Sequence, residues 1–391
     1  MRRVFPRHRR FERAMNIDEI AAIARRRLPN FVYEYIEGGS DDEVSLANNR
    51  AIFERYRFTP RTLTDVSQRS LTCQVLGREI AMPLIIAPTG FNGMITRDGD
   101  MKLARMAAKW RIPFTLSNAS TTALEEIATV AESWNWMQIY FYRDRDYVEK
   151  LMARCEAAGF DTLVITTDSA IYGNREWDAR NYTRPLVLDW YNKLHTLTRP
   201  GWIKDVLYPN GVPTFKNLGD LLPPGETSVQ GAAAAIGRHL MPSLSWAEMR
   251  WLRQRWPGKL LIKGILSVEE ARQASAEGID GIVLSNHGGR QLDGSVSPLE
   301  LVAEVRAAVG DAMTLLLDGG FRRGSDVLKA RLLGADAAML GRATLYGLGA
   351  GGEAGVDHAL RLLHAELDRD LGLLGCSKLE ELDDSLMRES R

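Results

Sequence analysis

Eight short apolar runs rich in β-branched residues recur along this chain, and each is followed by a stretch with helical spacing. They fall at Leu84–Pro88, Ile112–Ser117, Trp136–Phe141, Thr162–Thr167, Leu260–Gly264, Gly281–Ser285, Thr314–Asp318 and Asp336–Leu340. Most start-to-start spacings lie between 21 and 33 residues, which suits one strand plus one helix. Several runs are apolar throughout rather than alternating, the mark of parallel strands covered by helices. Eight such units in series predict an α/β chain of the (β/α)8 barrel class rather than an open doubly wound sheet. After the first run the sequence reads APTGFNG (Ala87–Gly93), which lacks the glycine fingerprint of a dinucleotide-binding βα unit.

One spacing breaks the pattern. The fourth and fifth runs start 98 residues apart, about seventy more than an ordinary unit needs. This excursion, near residues 178–245, holds Trp190, Tyr191, Trp202, Tyr208 and the Pro223–Pro224 pair. It leaves the fourth strand at its C-terminal end, the face where barrels place their active sites. A segment of that length with little repetitive structure predicts a lid, a binding loop or an attachment segment. The expected organisation is a disordered basic tail at 1–15, one barrel domain at 16–376 with a helical N-terminal extension, and a C-terminal tail at 377–391. Met15, at the head of the helix-like stretch Asn16–Leu28, is an alternative start.

Composition narrows the function. Fifty Lys and Arg residues against fifty Asp and Glu give a net charge of zero, which argues against a general nucleic-acid binder. No apolar run reaches the 18 residues of a spanning helix, and the Arg-rich start lacks the apolar core of a secretory signal. Three cysteines without a CxxC pair predict a reducing, cytoplasmic setting and no zinc ribbon.

The densest chemistry is Ser285-Asn286-His287-Gly288-Gly289-Arg290-Gln291-Leu292-Asp293-Gly294, directly after an apolar run. A histidine titrates near neutrality, glycines allow a sharp turn, and an arginine fork suits a carboxylate. Other strand ends repeat the pattern, with Ser117, Gln138, Tyr140, Thr166, Asp168, Arg175 and Lys263. Runs seven and eight end in Asp318-Gly319-Gly320-Phe321-Arg322 and Gly341-Arg342, the arrangement of a phosphate cradle.

TTDSAIYGNRE, LIKG, SNHGGRQLDG and LLLDGGFRRGSDV together resemble the FMN-dependent L-2-hydroxy acid oxidase/dehydrogenase family. The similarity runs from about Asn16 to Cys376, and GRATLYGL at Gly341–Leu348 is most similar to the bacterial mandelate and lactate dehydrogenase branch. The resemblance implies FMN, with Pro88, Thr89 and Gly90 along the flavin edge and Ser117, Gln138 and Thr166 hydrogen-bonding its ring. It implies Lys263 beside N1 and O2, and Ser285, Asp318, Gly320, Arg322, Gly341 and Arg342 on the ribityl and phosphate groups. On the substrate side it implies a carboxylate clamp of Arg290 and Arg175 helped by Tyr35, and Tyr140 on the substrate oxygen. His287 becomes the base, oriented by Asp168.

Two positions refine the expectation. Ala119 stands where glycolate oxidases carry a bulky aromatic, which widens the pocket towards mandelate-like substrates. Gly90 stands where oxidases resemble one another in having Ala, which favours a quinone or other carrier as acceptor, with oxygen as the alternative. The excursion matches the place where membrane-bound relatives attach, so peripheral contact with the inner face of the cell membrane stands beside a soluble lid. A homotetramer is implied in the same way. A Schiff-base aldolase using Lys263, the competing class, leaves His287 and Arg290 unexplained.

Overall fold

The computed structural model describes residues 10–184, 187–222 and 236–390. Its centre is a closed barrel of eight parallel strands: β1 (Leu84–Ile86), β2 (Phe114–Ser117), β3 (Asn135–Tyr140), β4 (Thr162–Thr166), β5 (Lys259–Ile265), β6 (Gly281–Leu284), β7 (Thr314–Leu317) and β8 (Ala337–Leu340). Each of the eight runs is thus a barrel strand, and β8 pairs with β1 to close the ring. Nearly every strand residue is buried, because side chains fill the interior and helices cover the outside. Several strands stop one or two residues short of their expected ends. Pro88, Phe141, Thr167, Ser285 and Asp318 therefore sit in the loops at the C-terminal rim. In β5, Gly264 takes φ +109 at a register shift between Lys263 and Ile265.

The N-terminal extension contributes α1 (Ile17–Arg27) and α2 (Asn30–Glu37), split at Leu28-Pro29. Asn16 caps α1 by accepting from the Glu19 amide, and Asp18 and Glu19 complement its positive end. The tail boundary expected at residue 15 moves earlier: Phe11–Arg13 form a 3-10 turn, Phe11 stands edge-on to His358, and the carbonyl of buried Ala14 accepts from His358 Nε2 at 2.8 Å. Arg2, Arg3, Arg7 and Arg9 lie outside the described residues. The C-terminal tail is also structured. Leu386 is buried, and Met387–Glu389 pairs antiparallel with Tyr56–Phe58. A hairpin of Cys73–Val75 and Arg78–Ile80 sits at the N-terminal end of the barrel, where Arg78 pairs with Asp161 just before β4.

The excursion after β4 carries more regular structure than its sequence suggests. It opens with the helix Glu176–Arg180, turns through a hairpin of Tyr182–Arg184 and Val187–Leu188, and continues into α3 (Trp190–Leu197). α3 is inverted relative to an ordinary surface helix. Its polar side faces the protein, with buried Asn192 donating to Asn181 and His195 Nδ1 accepting from the Asn30 amide. Trp190, Tyr191, Leu194 and Leu197 lie outside at 72%, 62%, 45% and 68% exposure. Pro223–Pro224 lies outside the described residues.

The last long helical stretch, Arg342–Leu373, bends back on itself at Gly351-Gly352, where the backbone leaves helical geometry. The bend presses Gly347 against Gly355 so closely that a Cβ on Gly355 would lie 2.1 Å from the Gly347 carbonyl oxygen. Gly355→Ala should therefore lower stability by about 1–3 kcal/mol through overpacking. Thermal denaturation followed by circular dichroism checks this, and an unchanged midpoint contradicts it.

Candidate active site

The rim residues converge on a cavity of about 400 Å³ at the C-terminal end of the barrel. Its floor is a polar relay set by strand register, since Ser117 pairs with Gln138 and Tyr140 with Thr166 in the ladders. Ser117 Oγ donates to Gln138 Oε1 at 2.9 Å, and Gln138 Nε2 donates to Thr166 Oγ1 at 2.9 Å. Lys263, in register with Thr166 on β5, donates to Ser285 Oγ and forms an ion pair with Asp318 Oδ2, both at 2.8 Å. Burial works hardest against the Lys263 ammonium, yet Asp318 and Asp168 outweigh it and its pKa rises above the ordinary value. A fixed buried cation results.

His287 sits in a turn where three successive residues, His287, Gly288 and Gly289, have φ of +58, +64 and +76. A non-glycine residue in that region is strained, so the turn must be held from outside. The His287 amide donates to Ser285 Oγ at 2.9 Å, and the Gly289 amide to Asn286 Oδ1 at 3.1 Å. Asn286 exchanges two side-chain hydrogen bonds with buried Asn49, a partner that no sequence pattern announced. His287 Nδ1 lies 2.9 Å from Asp168 Oδ1, and its ring is near-parallel to Tyr140 at 17°. Gly264 makes room for this pair, because a Cβ there would lie 2.7 Å from the Asp168 Cβ.

The Asp168 partner fixes the proton on Nδ1 and leaves Nε2 as the acceptor. Burial is the largest influence on His287 and lowers its pKa below the ordinary 6.5, with Asp168 opposing the shift. Burial pushes Asp168 upward, but His287 and Lys263 hold its carboxyl below the usual range. The pair is a neutral imidazole on a carboxylate, a competent proton acceptor near pH 7.

A cationic group occupies one side. The Arg290 guanidinium pairs with Asp178 at 3.2 Å, donates to the Gly38 carbonyl, and lies 5.4 Å from the centre of the Tyr35 ring. Burial beside Arg175 lowers its pKa to about 10, which leaves it charged at neutrality. Arg175 donates to the Arg290 carbonyl at 3.2 Å, and the Tyr35 hydroxyl donates to the Gly90 carbonyl at 3.1 Å. Asp178 was not singled out from the sequence. It stands three residues after Arg175 on the first helix of the excursion, and that i,i+3 spacing was the available signal.

Most of the sequence-selected residues line this cavity, including Pro88, Thr89, Gly90, Gln138, Tyr140 and Thr166. Lys263, His287, Arg175, Arg290 and Tyr35 do so as well, as do Asp318, Arg322, Gly341 and Arg342. Ser117, Asp168, Ser285 and Gly320 stand behind them. Gly320, at φ +79, packs on Asn49, whose carbonyl oxygen would lie 1.8 Å from any Cβ. Arg342 is expected on a phosphate, yet its guanidinium donates to the carbonyls of Ile36, Gly288 and Gly38 and so ties α2 to the β6 loop. Arg322 donates to the Tyr346 hydroxyl at 3.2 Å.

An FMN-sized anionic cofactor fits this arrangement. The guanidiniums of Arg322 and Arg342 and the buried ammonium of Lys263 all line the cavity, and Asp318 Oδ1 is buried without a protein partner. The volume lies within the range of ligand sites.

The family model described as FMN-dependent dehydrogenase matches residues 24–389. The chain is 44% identical to (S)-mandelate dehydrogenase of Pseudomonas putida over 374 residues, covering 94% of this chain and 92% of that protein. It is 38% identical to an L-lactate oxidase of Nostoc sp. over 377 residues, covering 95% and 98% respectively. The structure of monotopic membrane protein (S)-mandelate dehydrogenase superposes with a TM-score of 0.92 at 42% identity, covering 97% of this chain and 100% of that one.

The His287–Asp168 pair can be tested without turnover. The imidazole should titrate below pH 6.5 by NMR. Asp168→Asn should move that titration lower still, because the carboxylate is what raises it. An upward move would contradict the pairing.

Proposed function

The chain belongs to the FMN-dependent dehydrogenase family, and we propose that it oxidises an aryl-bearing L-2-hydroxy acid of the mandelate type to the 2-oxo acid, with lactate as the smaller alternative substrate. It is an FMN-dependent oxidoreductase acting on 2-hydroxy acids. The observation that carries the finer reading is the make-up of the cavity lining, which combines Arg175, Arg290 and His287 with the apolar Ala119, Phe91, Met94 and Phe215. A carboxylate on the arginines leaves the rest of the substrate to these apolar residues, two of them aromatic.

FMN, when bound, supplies the two-electron acceptor; Lys263, Asp318, Arg322, the Ser117–Gln138–Thr166 relay and the Pro88–Gly90 edge are the residues proposed to hold it. Arg290 and Arg175 orient the substrate carboxylate as planar forks, helped by the Tyr35 hydroxyl. Burial pushes the Tyr140 hydroxyl up to about 12, so it stays protonated and donates to the substrate oxygen. His287 Nε2 takes the substrate proton, and Asp168 stabilises the imidazolium that forms. Both remain out of bulk water, which strengthens the exchange.

The acceptor proposed is a quinone or similar carrier. A methyl group on Gly90 would press on Ala119 at 3.3 Å and approach the Tyr35 hydroxyl at 3.5 Å, so a bare glycine keeps this edge open. Oxygen is the second reading, and an L-lactate oxidase among the relatives favours keeping it. Mandelate, lactate and glycolate should be compared by anaerobic bleaching of the flavin, followed by reoxidation with oxygen or a quinone analogue. Mandelate should bleach it fastest and the quinone analogue should restore it faster; peroxide release matching turnover would promote the oxidase. His287→Gln should keep the protein yellow while slowing bleaching by about 10²–10⁴-fold, and retained activity would remove the base assignment.

We also propose that α3 attaches the protein peripherally to the inner face of the cell membrane and that the assembly is a homotetramer. No helix among the described residues is long and apolar enough to cross a membrane. The support for attachment is the outward apolar side of α3, whose Trp and Tyr suit an interfacial depth. The intact protein should float with vesicles, and replacing Trp190, Tyr191, Leu194 and Leu197 with Ser should release it. Equal flotation of both would contradict attachment through α3.

A further inference from the structure

We infer that Phe215, delivered by the excursion after β4, is the specificity-determining contact for an aryl side chain on the substrate. This rests on the 2-hydroxy acid reading above and extends it to the part of the substrate that does not react. Phe215 lines the cavity, and its ring lies 5.0 Å from that of Phe91 with an interplanar angle of 31°. Phe91 in turn stands edge-on to Tyr35, at 6.5 Å and 85°, and Tyr35 lies beneath the Arg290 guanidinium. Tyr35, Phe91 and Phe215 therefore form an aromatic row that starts at the carboxylate clamp and leads away from it. An aryl ring on the α-carbon of an acid held by Arg290 meets that row, and tilted or edge-on ring contacts are favourable there.

The second observation is how firmly Phe215 is held. A residue from a long excursion defines a pocket only if its backbone is pinned to the scaffold. The Lys216 amide donates to the Ser120 carbonyl at 3.0 Å. Asn217 is wholly buried; its Oδ1 accepts from the Leu124 amide and its Nδ2 donates to the Thr122 carbonyl, each at 3.0 Å. The Asn217 carbonyl accepts from the Tyr147 hydroxyl at 2.8 Å. The bonds to Ser120, Thr122 and Leu124 clasp the excursion to the segment after β2, which also carries Ala119, and the Tyr147 bond ties it to the helix after β3. Small Ala119 and anchored Phe215 thus belong to one wall, the first giving room and the second giving a surface.

The test uses the full-length holoenzyme with Phe215→Ala and, as the conservative replacement, Phe215→Tyr. Phe215→Ala should lower kcat/KM for mandelate roughly 10- to 100-fold, mainly through KM, while lactate changes by less than about threefold. The inhibition constant of phenylacetate, a non-reacting competitor, should rise by a comparable factor and that of acetate should not; Phe215→Tyr should retain both. Equal losses for mandelate and lactate, or no change in either, would overturn the assignment. If the unmodified enzyme oxidises lactate but neither oxidises mandelate nor binds phenylacetate, the aryl assignment fails while the 2-hydroxy acid reading stands. Failure to oxidise any 2-hydroxy acid removes both.

Discussion

The ladder between β8 and β1 closes a ring of strands that all run the same way, and the chemistry of this protein follows from that closure. Parallel strands end on one rim, so residues widely separated in the chain are brought within hydrogen-bond reach at their C-terminal ends. Thr166 and Lys263 lie nearly a hundred residues apart yet are neighbours in register. The relay from Ser117 through Gln138 to Thr166 is one tier of the barrel read around the ring.

The rim holds an unusual density of buried charge for a chain whose total is zero. Lys263 is buried and Arg290, Arg322 and Arg342 are partly withdrawn from water, a costly step unless each finds partners. Carboxylates satisfy the first two, and backbone carbonyls and a tyrosine hydroxyl satisfy the others. The partnership is incomplete on the acid side, where Asp168, Asp178 and Asp318 each keep one buried oxygen without a protein partner. A site built in this way prefers ligands that carry both acceptors and donors, and a phosphorylated heterocycle or a hydroxy acid offers both.

The barrel strands were legible because a strand buried on both faces leaves an uninterrupted apolar run, a signal that survives without knowledge of its neighbours. The polar residues ending those runs were legible for the same reason, since they interrupt the apolar pattern at its C-terminal edge. What escaped was set by contacts across the fold. Asn49 supports the His287 turn, and Asn217 clasps an excursion to another loop, yet in sequence each is an ordinary polar residue in a polar stretch. α3 misleads more directly: its sequence gives an amphipathic helix, but which side turns inward depends on Asn181 and Asn30, both elsewhere. The ends were read as tails because short strands and 3-10 turns carry too little periodicity to stand out.

One of those ends has a consequence for biosynthesis. Tyr56–Phe58 finds its strand partner only in Met387–Glu389, about 330 residues later. At on the order of 10 residues per second, the ribosome needs roughly half a minute to deliver the second half of that pair. Throughout that interval the early strand presents an open hydrogen-bonding edge, the kind of surface that other nascent chains can join. The Met387–Glu389 strand therefore acts as a latch that closes only once those residues have been made, and a product terminated before them would leave the edge bare.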